Sequence, residues 1–249
     1  TTKQVLKDLP DKVEKDIWLN FSPEEKQLYL ANLAQVNEQL QQQLELEQVD
    51  SILIIAMMTR LRQICCEPRM LYENYKGEST KFTMCLELIE TLKENGKKVL
   101  LFSSFTSIFD SFIEEFNQRG IKYHMITGAV DKKKRKEEVD AFQSDDSDVF
   151  LISLKAGGTG LNLTKAQAVI HYDPWWNVSA QNQATDRAYR IGQTKNVLVY
   201  QLLMKNTIEA KIYEMQKHKK EMSDIFVENS NGGISTLSKE ELRDLFSME

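Results

Sequence analysis

Residues 149–163 read VFLISLKAGGTGLNL, an apolar run that passes directly into a glycine-rich loop. The first four of these residues predict a strand, and residues 99–102 (VLLF) form a second continuous apolar run. Apolar runs without polar alternation are typical of strands that are covered on both faces. The sequence therefore predicts an α/β fold in which a glycine-rich loop follows the end of a buried strand.

Three further strands are predicted at residues 123–126, 168–171 and 197–203. Apolar residues recur at helical spacing between the strands, with Gly120 ending one of the predicted helices and Gly192 ending a later one. Strands separated by helices of this length imply right-handed β-α-β units and a parallel sheet.

Helices are predicted on both sides of the strand-containing region. Residues 22–66 are expected to form a helical hairpin, residues 67–80 a connector, and residues 208–226 one long amphipathic helix. Residues 229–233 (NSNGG) predict a hinge. The capping box SKEE at residues 238–241 predicts the start of a final short helix.

The composition suits one large α/β domain or a domain with a subdomain. The 249 residues are 41% hydrophobic and carry a net charge of −5, so a globally basic nucleic-acid footprint is absent. No apolar run approaches bilayer length, and the first residues lack the apolar core of a signal peptide. The three cysteines lack zinc-ligand spacing, which predicts reduced thiols packed in helices. The chain opens without Met, and we expect it to be a fragment.

Residues 183–193 (QATDRAYRIGQ) place two arginines three positions apart. On the predicted helix, Arg187 and Arg190 share one face, and Gln183 lies one turn before Arg187. Guanidinium groups bind phosphate oxygens bidentately and keep their charge, so the pair suits the charge that develops in phosphoryl transfer. The alternative is an exposed helix whose arginines form salt bridges.

Three other segments are candidates for ligand contact. The loop at 157–160 brings three glycines and the neighbouring cation Lys155 to the end of a strand, although it lacks the Gly-Lys-Ser/Thr of a Walker A motif. Trp175 and Trp176 either pack in the core or stack on a nucleic-acid strand. The basic run at 132–136 is either a solvated helix face or a contact for backbone phosphates. We expect the glycine-rich loop, the tryptophan loop and the arginine helix to line one edge of the sheet.

Taken in chain order, these segments resemble the second RecA-like lobe of the Swi/Snf-type ATPases, which are helicase-like DNA translocases of superfamily two. Residues 99–105 resemble helicase motif IV, residues 153–163 resemble motif V and residues 183–193 resemble motif VI. The DPWWN sequence at 173–177 and the RIGQ ending at 190–193 are specific to this family, and the resemblance covers essentially the whole chain.

The resemblance implies an α/β fold with a RecA-like parallel sheet flanked by helices, an N-terminal helical protrusion and C-terminal brace helices. The implied divisions are residues 1–21 as a lead-in from a first lobe, 22–66 as the protrusion, 67–206 as the RecA-like lobe and 207–249 as the brace. Two departures from the family pattern, Val178 in place of Pro and Tyr189 in place of His, leave both arginines intact.

The resemblance also implies roles for individual residues. Arg187 and Arg190 would act as arginine fingers, and Gln183 would position the γ-phosphate or the attacking water. The residues near the nucleotide would be Gly158, Thr159, Gly160 and Asn162. The residues facing the DNA backbone would be Ser103, Ser104, Thr127, Gly128, Lys155, Ala156, Gly157 and Trp176. No metal ligand is expected in this chain.

The implied activity is ATP-driven translocation on double-stranded DNA through largely non-specific backbone contacts. The sequence contains no Walker A motif and no Asp-Glu-x-His, so a first RecA-like lobe would hold ATP and Mg²⁺, and this chain alone would hydrolyse no ATP. We expect a monomer without membrane contact, and a prokaryotic origin because the protrusion is short. Its location would be the nucleoid-associated cytoplasm, or the nucleus in a eukaryote.

Two other functions are open at this point. A non-catalytic RecA-like module would dock protein partners through its flanking helices, although such a module would not need Gln183, Arg187 and Arg190 together. An RNA-directed helicase is disfavoured by the Trp-Trp loop and by Gln193, since RNA helicases of the DEAD-box type usually end that motif in Arg.

Overall fold

A computed structural model describes residues 10–157, 160–175, 178–218 and 237–247 of the chain. The backbone divides into two compact units. Of the described residues, 10–17, 84–157, 160–175 and 179–202 form the first unit, and 18–83, 178, 203–218 and 237–247 form the second. The described residues that were predicted to bind nucleotide or DNA belong to the first unit.

Strands and helices alternate along the chain as the sequence predicts. In chain order they are β1 (Lys12–Leu19), α1 (Pro23–Leu44), α2 (Ser51–Cys66), α3 (Thr80–Glu94), β2 (Lys98–Ser103), α4 (Ile108–Arg119), β3 (Tyr123–Ile126), α5 (Lys132–Ser144), β4 (Val149–Ser153), α6 (Leu154–Gly157), β5 (Ala166–His171), α7 (Val178–Thr185), β6 (Val197–Met204), α8 (Ile208–His218) and α9 (Lys239–Leu245). A short 3₁₀ turn, Pro68–Met70, follows α2. All five predicted strands are present, and α1 and α2 form the predicted hairpin.

The described strands form one sheet in the order β1-β6-β5-β2-β4-β3. Strand β2 pairs in parallel with β4 on one side and with β5 on the other, so Leu101 lies opposite Leu151 and Ile170. Every residue of β4 is buried, as expected for a strand that is covered on both faces. The predicted α/β fold, a parallel sheet flanked by helices, is confirmed.

Strand β1 is an element that the sequence did not predict. Val197 N donates to Asp11 O at 3.0 Å and Lys205 N donates to Leu19 O at 2.9 Å, so β1 runs parallel to β6. The sequence of β1, KVEKDIWL, is rich in charge and mostly exposed, which hides the strand from a search for apolar runs. Charged side chains suit this position because they protect the open edge of a sheet from pairing with another chain.

The core of the first unit joins the central strands to the segments that follow them. Phe102, Phe150 and Val169 are fully buried side chains of β2, β4 and β5. Leu163, before β5, and Ala188, after α7, belong to the same apolar cluster. The loops beside the strands are therefore anchored in the core, which limits how far their polar residues can move.

Helix caps organise the second unit. Ser22 and Glu25 form a capping box at the start of α1. The fully buried Glu25 carboxylate also accepts hydrogen bonds from Thr80 N at 2.9 Å and from Thr80 Oγ1 at 2.6 Å. One carboxylate therefore joins the amino-terminal ends of α1 and α3, where negative charge is favourable.

A buried ion pair joins Lys81, in the first turn of α3, to Glu209 of α8, and both residues belong to the second unit. The Lys81 ammonium lies 2.6 Å from each carboxylate oxygen of Glu209, and both side chains have no solvent exposure. Glu209 also accepts a hydrogen bond from Met204 N at 3.0 Å. Burial is the largest influence and opposes the charged form of Lys81, but the Glu209 carboxylate together with Cys66 and Cys65 raises the pKa of the ammonium on balance. Both members of the pair are thus charged, and each depends on the other.

Several smaller predictions are confirmed. Gly120 ends α4 in the left-handed conformation with a φ of 63°, and Ser238 begins a capping box at α9. The three cysteines are buried thiols. The described part of the helix predicted at 208–226 ends at His218, and its remainder lies outside the described residues together with the hinge at 229–233. No helix in the described part of the chain is long and apolar enough to cross a membrane.

Strand β5 ends at a buried histidine. His171 Nε2 lies 2.9 Å from Thr185 Oγ1 of α7, and the ring stacks on Phe102 with 5.7 Å between centroids. Burial lowers the pKa of His171 to about 4, although the Asp173 carboxylate acts in the opposite direction. The ring is therefore neutral at pH 7, and its contribution is packing and hydrogen bonding.

We expect Lys81→Met to lower the free energy of unfolding by about 3–5 kcal/mol, because it leaves the Glu209 carboxylate buried without its counter-charge. Adding Glu209→Gln should recover most of this loss, since the amide is neutral and its oxygen can still accept from Met204 N. Urea titration of the wild type and both variants measures the difference. Equal losses in the single and double variants would show that the lysine contributes packing and not charge.

The lowered pKa of His171 predicts a pH dependence of stability. The unfolded chain binds a proton below about pH 6.5, and the folded chain does so only near pH 4, so stability is lost as the pH falls through this window. The loss should reach about 3 kcal/mol at pH 4. His171→Gln should lose less stability between pH 7 and pH 4 in urea titrations, because this position no longer takes up a proton. Parallel curves for the two proteins would contradict the prediction.

Candidate functional site

One carboxylate ties together the carboxyl ends of β2 and β5. Asp173, which is buried shortly after β5, accepts hydrogen bonds from Ser103 Oγ at 2.7 Å, from Ser104 N at 3.0 Å and from Ser104 Oγ. Ser103 Oγ accepts in turn from Phe105 N at 3.1 Å. These bonds fix the loop after β2 against the loop after β5. Asp173 was not among the predicted site residues, although its place between a strand and two tryptophans was a usable signal.

The residues predicted to face DNA differ in exposure. Ser103 is fully buried and Ala156 is 1% exposed, so in this structure neither residue presents its side chain to solvent. The others whose side chains are described are half-buried or exposed, namely Ser104, Thr127, Gly128 and Lys155. Trp176 lies outside the described residues.

The backbone conformation of Gly128, just after β3, does not require glycine. Its φ lies outside the left-handed region, and an added Cβ would meet only the Cβ of Lys155, at an ordinary contact distance of 3.9 Å. Gly160 and Gly192 differ, because their φ angles of 52° and 100° favour glycine. If position 128 requires glycine, the requirement therefore arises from a contact with a group outside the described chain.

The glycine-rich segment begins as a helical turn and not as an open loop. Helix α6 follows β4 directly and ends at Gly157, and Ala156 N donates to Ser153 Oγ at 3.3 Å. Gly158 and Thr159, which were predicted to lie near the nucleotide, are outside the described residues.

Residues 160–165 lead to the start of β5. Leu161 and Leu163 are buried, whereas Gly160 and Asn162 are exposed. The two described residues of the predicted nucleotide set thus point to solvent from a segment whose apolar neighbours anchor it. An exposed residue on an anchored segment is well placed to meet a ligand.

The arginine segment is not part of a regular helix, which corrects the sequence prediction. Helix α7 ends at Thr185. Arg187 O accepts from a backbone N–H of the loop before β5 at 3.0 Å, and Ala188 O accepts from the Gln193 side chain at 3.0 Å. Because these carbonyls are bonded outside the helix, they do not accept from N–H groups four residues later. The helical repeat stops there, and Arg187 and Arg190 do not share a helix face.

The position of this segment also corrects the expectation that all ligand-facing loops line one sheet edge. Leu163, whose N–H bonds to Arg187 O, lies just before β5. Gln193 Nε2 donates at 2.9 Å to Ala166 O, in the first residue of β5. The arginine segment therefore lies toward the amino end of β5. The loops that follow β2, β3 and β4 lie at the opposite, carboxyl edge.

The Arg190 guanidinium lies beside residues 160–162, and Arg187 is close enough for the two positive charges to interact. Arg190 is exposed and donates from Nη1 to Leu161 O at 3.3 Å. Arg187 is half-buried, and burial together with the positive charge of Arg190 lowers the pKa of its guanidinium. Gln183 is exposed on α7. Two cations that repel one another are stabilised by a multiply charged anion, and phosphate groups match the guanidinium fork.

Neighbours of the arginines have structural roles. Tyr189 packs against the core of the first unit, and Lys12 Nζ lies 5.6 Å from its ring centroid. Gln193 is buried, with Nε2 donating to two backbone carbonyls and Oε1 accepting from two backbone N–H groups. Arginine has no acceptor, so it could not make the second set of bonds. The fold itself therefore explains the glutamine that ends the RIGQ sequence.

The tryptophan loop is anchored through its first ring and its backbone. Trp175 is half-buried against the core of the first unit. Its backbone N–H donates to Gln181 Oε1 at 3.2 Å, and Gln181 Nε2 donates to Gln201 Oε1 of β6 at 2.6 Å. Packing is therefore the role of Trp175, and stacking on a nucleic acid stays a prediction for Trp176.

Comparison with known proteins identifies two parts of the sequence. Residues 80–192 match the profile of the helicase conserved C-terminal domain, and residues 1–70 match that of the SNF2-related domain. The two matches together cover most of the chain.

Similar proteins occur in bacteria. The chain is 38% identical to an uncharacterized ATP-dependent helicase of Mycoplasma pneumoniae, over 99% of the chain and 24% of that protein. It is 33% identical to a putative ATP-dependent helicase/translocase of Bacillus subtilis, over 99% of the chain and 27% of that protein. The chain thus spans about a quarter of the length of these relatives.

A solved archaeal structure shares the fold. The Sulfolobus solfataricus SWI2/SNF2 ATPase core in complex with double-stranded DNA matches with a TM-score of 0.80 and 31% identity, over 99% of this chain and 52% of that one. This likeness confirms that the parallel sheet is RecA-like. Together with the two domain matches, it shows that the chain belongs to the SWI2/SNF2 family of helicase-type ATPases and carries the helicase conserved C-terminal domain of that family.

Proposed function

We propose that this chain is the second motor lobe of an ATP-dependent double-stranded-DNA translocase. It supplies Arg187 and Arg190 in trans to ATP bound on a first RecA-like lobe, and it grips the DNA backbone with loops at the carboxyl edge of its sheet. The observation that carries the proposal is the position of the Arg190 guanidinium beside residues 160–162, with Arg187 close enough to interact with its charge, apart from the loops at the carboxyl edge. One lobe thereby offers separate surfaces to two anionic ligands.

The nucleotide surface acts through positive charge. Negative charge spreads over the oxygens of the γ-phosphoryl group as it transfers, and guanidinium groups placed there stabilise the transition state. Within the described part of the chain, no carboxylate forms an ion pair with the exposed Arg190, so its charge is available to an incoming phosphate. Gln183, exposed on α7, orients the attacking water.

The DNA surface lies across the loops after β2, β3 and β4. Asp173 orients Ser104 there, and Gly128 lies next to Lys155. Ser103 and Ala156 shape these loops from within. A relative with 31% identity was solved with double-stranded DNA, which supports this assignment. Contacts to phosphate carry little sequence information, so binding is largely non-specific.

ATP and Mg²⁺ belong to the first lobe in this proposal, because the sequence has no Walker A motif. When bound, Mg²⁺ neutralises charge on the β- and γ-phosphate oxygens. The described residues contain no group of three or more His, Cys, Asp or Glu side chains that could hold a metal ion. This chain alone is then inactive, and closure of two lobes around ATP moves the pair along DNA.

Arg190→Ala in the complete two-lobe protein should slow DNA-stimulated ATP hydrolysis by about 10³–10⁵-fold, because an arginine finger acts on charge that develops in the transition state. The affinity for ATP should change little. Steady-state ATPase assays with saturating duplex DNA, and equilibrium binding of a labelled ATP analogue, measure the two effects.

Arg119→Ala is the matched control, because Arg119 lies on the surface of α4 and pairs with Glu90 and Glu115. It should leave hydrolysis at the wild-type rate. Near-normal turnover in Arg190→Ala would remove Arg190 from the reaction and favour the non-catalytic module.

Gly128→Ala should weaken duplex DNA binding by roughly tenfold, about 1.4 kcal/mol, without changing thermal stability. The fold has room for the new Cβ, so its cost arises only against a phosphate backbone that approaches closely. Fluorescence anisotropy with labelled duplex DNA and thermal unfolding measure the two quantities separately.

Gly120→Ala provides the reverse control. Gly120 has a φ of 63°, so alanine should destabilise the fold by about 1–2 kcal/mol while the folded protein binds DNA normally. Wild-type DNA affinity in Gly128→Ala would show that no phosphate comes close to position 128.

A further inference from the structure

A cavity of about 470 Å³ lies between α5 and the segment that leads into β5. Lys132, Arg135 and Lys136 line it from the helix together with Val139, and residues 160–162 line it from the opposite side. All of these residues belong to the first unit. The cavity is therefore a concave surface with three cations on one wall.

These cations do not stabilise the helix that carries them. Helix α5 starts with the sequence KKKRK and has no acidic residue in its first turn. Positive charge at this end opposes the helix dipole, and Lys132 and Lys136 repel one another at i,i+4 spacing. Asp131 already accepts from Lys133 N and Lys134 N, so the cap is complete without a ligand. The reason for the lysines therefore lies outside the fold.

Nearby carboxylates do not neutralise the cavity wall. Among the residues that the structure describes, no Asp or Glu forms an ion pair with Lys132 or Lys136. Glu138, on the same helix, lies 2.6 Å from His124 Nδ1. Arg135 Nη2 donates to Val130 O at 3.2 Å, which holds the guanidinium in place. Two flexible lysines beside one held arginine make a wall that suits an anion.

We propose that this cavity binds phosphate groups of the duplex DNA backbone, which rests on and extends the proposed function. Only residues 129–131 separate Gly128 from the start of α5, so Lys132 follows closely along the chain from the loop that the proposed function assigns to DNA. Lys132 and Lys136 bind the phosphate oxygens as point charges, and Arg135 forms the fixed side of the site. Residues 160–162 on the opposite wall also belong to the proposed nucleotide surface, and a nucleotide carries the same phosphate chemistry. The experiment therefore separates the two sources.

The test compares Lys132→Gln/Lys136→Gln with wild type in the complete protein, by measuring duplex DNA affinity across a series of salt concentrations. Each lost phosphate contact should lower the slope of log K against log salt by about 0.9, so the double variant should lose about 2 from its slope. Its affinity for a labelled ATP analogue should equal that of wild type. The thermal unfolding temperature should stay constant or rise, because charge repulsion at the start of α5 is removed.

Lys165→Gln/Lys195→Gln is the matched control, since both lysines are exposed in the first unit, lie outside the cavity lining and undergo the same change in charge. Its salt slope should equal that of wild type. An unchanged salt slope in the cavity variant would overturn the inference and leave the proposed function intact. An unchanged salt slope together with a loss of affinity for the ATP analogue would assign the cavity to the nucleotide. Failure of wild type to bind duplex DNA would overturn the proposed function and the inference together.

Discussion

Burial of the central strands on both faces is the constraint on which the rest of this structure depends. Every residue of β4 is buried, as are residues 99–103 of β2, so neither face of the sheet can hold a polar ligand. The residues that could contact a polar ligand therefore lie in the segments at the two ends of the strands. The carboxyl edge carries the loops fixed by Asp173, and the arginine segment lies toward the amino end of β5. A single lobe can therefore face two anionic ligands without placing both at one site.

Backbone carbonyls decide where the arginines are. Residues 178–192 have the spacing of one helix, yet the carbonyls of Arg187 and Ala188 bond to partners outside it. The segment that brings Gly160 and Asn162 to the surface also supplies the acceptor for Arg190. The two motifs that would meet the nucleotide are thus joined directly by hydrogen bonds.

Charge is used in opposite ways in the two units. In the second, Lys81 and Glu209 are wholly buried and neutralise one another, because a lone buried charge would carry a large desolvation penalty. In the first, the basic run at 132–136 stays on the surface in a chain whose net charge is −5. Surface charges are solvated, so they need no partner in the fold. Positive surface charges attract an anionic ligand, and salt weakens this attraction by screening.

The sequence by itself determined the fold class and the family. The apolar runs at 99–102 and 149–152 have the length of strands and alternate with helical patterns, and the motif residues are local in the chain. It also named the residues of the candidate site, whose roles stay predictions. Only the tertiary structure decided that the charged segment at 12–19 becomes an edge strand, that α7 stops before Arg187, and that Asp173 joins two loops. Each of these outcomes depends on hydrogen bonds between residues far apart in the chain, and no local pattern of residues encodes such a bond.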